Sequence, residues 1–237
     1  MTSLHIPRVA IVNRSTAIGD DEAKALAAAL QIQVSRDFGP AWALDCFASF
    51  FGKGEPVPAD WWQLVVADDS DQAGALGYHE LTPAGQPVGF VFARTDLQYN
   101  LKSSVTASHE LLEMLADPWI CATALHQASA TAGDVYALEV CDACEADEIG
   151  YSINGVQVSD FLLPAWFRDG VAGPYDWMQR TKAPFSLAVG GYASIFAQGQ
   201  GWTQKTAAET PTPRQLARQA RGPLTRTTRR FVRLPPT

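Results

Sequence analysis

The chain's 237 residues, 47% hydrophobic and 18% charged, exclude a disordered polypeptide and suffice for a sizeable buried core. The net charge of −7 is a composite: residues 211–237 hold seven arginines and no acid, so the rest sets all 25 acids against 11 of the 18 bases, which argues against general nucleic-acid binding by that acidic body. No apolar run reaches the roughly 18 residues of a bilayer span, and residues 1–8 lack a basic stretch followed by a long apolar one, so a soluble cytoplasmic protein with no membrane role is expected.

Residues 8–13 read as a buried strand. Residues 22–37 read as a helix, rich in Ala and Leu and acidic at its start, with Gly39-Pro40 as the stop. Residues 42–51 are apolar and aromatic and read as a second strand, residues 62–67 as a third. The Gly- and Pro-rich stretch 74–87 reads as loop or irregular edge, and residues 88–93 as a fourth strand at the sheet edge. A helix follows over residues 104–117, with Ser103, Ser104 or Thr106 available to cap it and Pro118 to end it. Residues 122–133 read as loop, 135–140 as a strand, 150–158 as a hairpin turning at Asn154-Gly155, and 186–203 as a further hairpin. From residue 207 the composition changes to an Arg/Pro-rich tail, a solvated extension or an arm that touches nucleic acid, an acidic partner or the body itself.

The helix of residues 104–117 carries the chemistry. His109 and Glu113 are four apart, hence on one helix face, and can offer an imidazole and a carboxylate to one cation, with Glu110 beside them. The flanking leucines and Met114 mark the helix as buried, where charged side chains need partners. An ordinary hydrogen-bonded His–Glu pair is the structural alternative. An acidic cluster follows: Glu139, Asp142, Glu145, Asp147 and Glu148. His79 is a further candidate, whereas His5 and His126 receive no role. Cys141 and Cys144 have C-x-x-C spacing, but no second pair completes a zinc knuckle and acids crowd them, so they read as ordinary thiols. Trp166 and Phe167 read as a core plug, and Asp117 as a partner for the loop after the helix. No G-x-S-x-G elbow, Walker loop or G-x-G-x-x-G is present.

His109-Glu110-Leu111-Leu112-Glu113 is an HExxE variant of the HExxH metallopeptidase motif. Together with the element order over residues 8–117, it resembles the N-terminal half of the zincin-like metallopeptidases. The resemblance implies an α+β fold: a mixed sheet, a backing helix, an active-site helix under the edge strand, and a C-terminal half rich in strands and loops. It implies one zincin-like domain over 1–206, with subdomains of about 1–118 and 119–206, followed by the tail 207–237. It also implies a metal-dependent hydrolase acting on a peptide or protein substrate. Carried over, His109 and Glu113 are metal ligands and Glu110 is the general base. Glu139, 26 residues after Glu113, falls where one zincin branch places its third ligand, and Asp142 stands close by. Zinc is the implied metal; Glu in place of the second His shifts preference toward Mn²⁺ or Ca²⁺. The competing reading is a catalytically inactive protein of the same fold, used for binding or assembly through its basic tail.

Overall fold

The structure is a computed structural model that describes residues 6–71, 75–127, 129, 132–197 and 199–207; the tail beyond residue 207 and His5 lie outside the described residues. The architecture is α+β. Five strands, β1 (Arg8–Asn13), β2 (Phe47–Phe51), β3 (Trp62–Ala67), β4 (Gly77–Leu81) and β5 (Pro87–Phe92), form a mixed sheet in the order β2-β1-β3-β5-β4. β1, β2, β3 and β5 are parallel, and β4 closes one edge antiparallel to β5. The interior strands read as continuous apolar runs because both of their faces are covered. Val9, Ile11, Leu64, Val66 and Val91 face the helices. Ala10, Val12, Val65, Val88, Phe90 and Phe92 pack on the other face with Tyr78 and Trp61.

The helix α1 (Asp20–Ile32) opens on three acids and buries Ala23, Leu26, Ala27 and Leu30 at helical spacing. Gly39-Pro40 does not stop it. The chain widens into a π-helical stretch over Gln33–Phe38 and continues through a last turn, α2 (Gly39–Trp42). Pro40 stands at the head of that turn, where its missing N–H costs least, and Ala43 ends it in the left-handed conformation. The second strand is accordingly shorter than expected, starting at Phe47.

The edge strand also differs from expectation. β5 lies inside the sheet, and the stretch expected as loop or irregular edge supplies the edge as the regular strand β4. Its alternation puts Tyr78 against Phe90 and Phe92 on one face and Gly77 and His79 on the other. A short helix α3 (Ala93–Gln98) leads to α4 (Ser103–Ala116), which packs beneath β4 and β5 on the same face as α1. No helix among the described residues is long and apolar enough to cross a membrane.

In the C-terminal half, β6 (Thr123–His126) forms where loop was expected. It joins β7 (Asp134–Ala137), β10 (Tyr192–Ala197) and β11 (Gly201–Thr206) in an antiparallel sheet ordered β11-β10-β7-β6. β8 (Tyr151–Ile153) and β9 (Val156–Val158) are the hairpin turning at Asn154 and Gly155, both at positive φ. Trp166 is fully buried against Tyr136, Phe167 and Phe185, a core plug as the sequence suggests.

Candidate metal centre

Every residue of α4 from Val105 to Leu115 is buried, because sheet, α1 and the C-terminal half enclose it. The capping hydroxyls expected at its start are not used: Ser103 is already helical, and Lys102 holds the cap position without a side-chain bond there. At the other end Asp117 accepts hydrogen bonds from the backbone N–H groups of Cys121 (3.0 Å) and Ala122 (2.9 Å), which ties down the loop after the helix.

The enclosure forces the polar side chains of α4 to meet partners, and those partners converge. His109 Nε2 lies 3.2 Å from Glu113 Oε1 and 3.2 Å from Asp142 Oδ1. Its other nitrogen, Nδ1, lies 3.6 Å from Glu145 Oε1. His79 reaches down from β4: its Nδ1 is 3.3 Å from Glu110 Oε2 and 3.8 Å from Glu113 Oε2, and its Nε2 is 3.9 Å from Glu139 Oε2. All seven side chains are buried. Glu139 and Asp142 come from the segment after β7. Glu139 lies just beyond the strand in which it was expected, and Asp142 opens a short 3₁₀ turn. The Cys141 N–H donates to Glu113 Oε1 at 3.2 Å, and the Tyr192 hydroxyl donates to Asp142 Oδ1.

Five carboxylates and two imidazoles in one buried volume are electrostatically severe. Burial pushes the Glu113 carboxyl up, and Asp142 and Glu139 push it further against the pull of His109, to about 8. Burial alone would lower the imidazole of His109, but Glu113, Asp142 and Glu145 hold it well above its ordinary value. The spacing carries a second message. Charge-assisted hydrogen bonds run about 2.7–2.9 Å, whereas two donors bound at about 2.1 Å to one tetrahedral ion stand about 3.4 Å apart. The two 3.2 Å separations at His109 Nε2 lie between these values, so they suit donors arrayed around a cation as well as long hydrogen bonds. Among the described residues His109 Nδ1 makes no hydrogen bond, although its side chain is only 3% exposed. The donor set can therefore hold a divalent cation, and its oxygen content favours hard or borderline ions such as Mn²⁺ and Zn²⁺.

Two ligand groupings emerge, His109/Glu113/Cys141 and His79/Glu113/Glu139, the donor atoms of each lying within 4.8 Å of one another. Burial and neighbouring acids keep the Cys141 thiol well above its ordinary value, so it stays protonated in the metal-free site. The structure thus gathers His109, Glu110, Glu113, Glu139 and Asp142, and adds His79, Glu145 and Tyr192. His79 and Glu145 were visible as candidates by residue type; Tyr192 gave no local signal. His126 is elsewhere, paired with Asp169 at 2.7 Å. Comparison with protein-family models, with curated proteins and with solved structures finds no match to this chain.

Proposed function

We propose that this chain is a zincin-like metal-dependent hydrolase that cleaves a peptide bond. The observation that carries the reading is His109 Nε2 facing Glu113 Oε1 and Asp142 Oδ1 at equal 3.2 Å distances inside a buried cluster. The mixed sheet with α4 beneath its antiparallel edge strand supports it. His109, Glu113 and Asp142 would hold the cation, with a Glu139 oxygen within 4.8 Å of a Glu113 oxygen. The cation, when bound, polarises the scissile carbonyl and acidifies water. Glu110 accepts the proton of the attacking water and passes it to the leaving amine. His79 holds the Glu110 carboxylate in place from a distance of 3.3 Å. β4, as the true sheet edge, offers its backbone to an extended peptide by strand addition.

Elemental analysis of the purified protein, combined with a peptidase assay, tests the reading. His109→Ala and Glu113→Ala should lose bound metal. Glu110→Gln should keep it and lose turnover by about 10²- to 10⁴-fold, the range of general acid–base assistance. Wild-type protein that holds no stoichiometric metal and gains no thermal stability from Zn²⁺ or Mn²⁺ would overturn the proposal.

A further inference from the structure

We infer that the cluster is built for two divalent cations, with the Glu113 carboxylate shared between them. The inference rests on the reading that the cluster binds metal, and it adds a second ion held from the β4 side. The two oxygens of Glu113 diverge: Oε1 faces His109 at 3.2 Å, and Oε2 faces His79 at 3.8 Å. Acids stand at both nitrogens of each ring. His109 has Asp142 3.2 Å from Nε2 and Glu145 3.6 Å from Nδ1, and His79 has Glu110 3.3 Å from Nδ1 and Glu139 3.9 Å from Nε2. A carboxylate placed this way bridges ions about 3.5–4 Å apart, the separation found in two-metal hydrolytic sites.

The acids around His79 argue for the second ion. Glu110, Glu113 and Glu139 converge on that imidazole and all are buried, and buried carboxylates are gathered this closely at a cost that a cation offsets. The first ion sits with His109 and Glu113, where Asp142 lies 3.2 Å from the same imidazole nitrogen. The second sits with His79, Glu113 and Glu139, whose donor atoms lie within 4.8 Å of one another. Glu110, beside His79, remains the proton acceptor.

The experiment uses the full chain, stripped with a chelator and reloaded with Mn²⁺ alone. Metal content after gel filtration should reach two ions per chain, and electron paramagnetic resonance should show an exchange-coupled pair instead of isolated Mn²⁺. His79→Asn should fall to one ion per chain and show the isolated-ion spectrum, with cooperative thermal unfolding retained. Glu139→Gln is the second variant on the same side, and the wild-type stoichiometry and coupling need no variant. One uncoupled ion per wild-type chain, or two ions retained in His79→Asn, overturns the inference and leaves the hydrolase reading standing. No ion at all overturns both.

Discussion

The Tyr192 hydroxyl rests on Asp142, fifty residues away in sequence. Both groups are buried, so this bond fixes which way the Asp142 carboxylate points and withdraws negative charge from it. Partners of this kind orient ligands, and their loss typically weakens metal affinity 10- to 100-fold. Tyr192→Phe should therefore raise the dissociation constant for Zn²⁺ by about that factor, read by competition with a chromophoric chelator, while the unfolding transition stays cooperative. An unchanged affinity would remove Tyr192 from the site. The contrast with His109 and Glu113 shows what the sequence can convey. Helical periodicity brings those two together from spacing alone, and the acidic run after Gly133 points to Glu139 and Asp142. Tyr192 meets Asp142 only because β10 folds back over the turn that carries Asp142. His79 was visible only as a candidate, because its short strand is interrupted by no strong apolar pattern and flanked by glycine and proline.

At the scale of elements, the approach of β4 to α4 decides whether His79 can reach the cluster, and Gly77 permits that approach. A Cβ at Gly77 would stand 2.7 Å from Thr106 Cγ2, 2.8 Å from the Phe90 carbonyl oxygen and 2.9 Å from Glu110 Cγ. The Phe90 oxygen belongs to the neighbouring strand and cannot swing aside as a side-chain end can. Gly77→Ala should lift β4 off the helix, costing about 1–3 kcal/mol as overpacking does, and should weaken Mn²⁺ binding as His79 withdraws. Urea unfolding at unchanged slope and a Mn²⁺ titration check both; normal stability with normal binding would show that the strand has slack. The same elements separate what was legible from what was not. β1, β3, β5 and the motif helix announce themselves through long apolar runs or helical spacing. The π-helical stretch does not, since its cause is tertiary. Gln33 is buried there in a ring of hydrogen bonds, donating to the Ser159 carbonyl at 2.9 Å and accepting from Ser108 Oγ at 2.6 Å, while Ser159 N–H closes the ring onto Ser108 Oγ at 3.0 Å. That ring docks the end of α1 on α4 and on the chain after β9, and the helix widens to meet it. β4, expected as loop or irregular edge, and β6, expected as loop, were not legible as regular strands because edge strands with mixed polarity owe their form to the neighbour they pair with.

For the whole molecule, one hydrophobic core runs from Val9 and Ile11 in β1 through Leu111 and Leu112 in α4 to Phe161, Leu162 and Ile195. A strain anywhere along that core should be read by global unfolding. Asp160 and Asp176 supply such a strain. Both are fully buried, and each ties down backbone: Asp160 accepts from the N–H groups of Phe161 (2.7 Å) and Met178 (3.0 Å), and Asp176 from those of Arg180 (2.8 Å) and Thr181 (2.6 Å). Burial, and then the shared hydrogen bond and charge of Asp176, push the Asp160 carboxyl from 3.8 up to about 9. The folded protein thus keeps a proton that the unfolded chain releases near pH 4. Stability rises with pH only where the unfolded state binds more protons, and here the folded state does. The contribution is therefore complete below about pH 4 and is lost as pH rises toward about 9. Asp160→Asn reproduces the protonated form, its oxygen accepting and its amide donating to Asp176 without a titration. Chemical denaturation across that range should find variant and wild type alike near pH 4, with the variant increasingly the more stable toward pH 9. Parallel curves would mean that the two carboxylates share no proton in the folded protein.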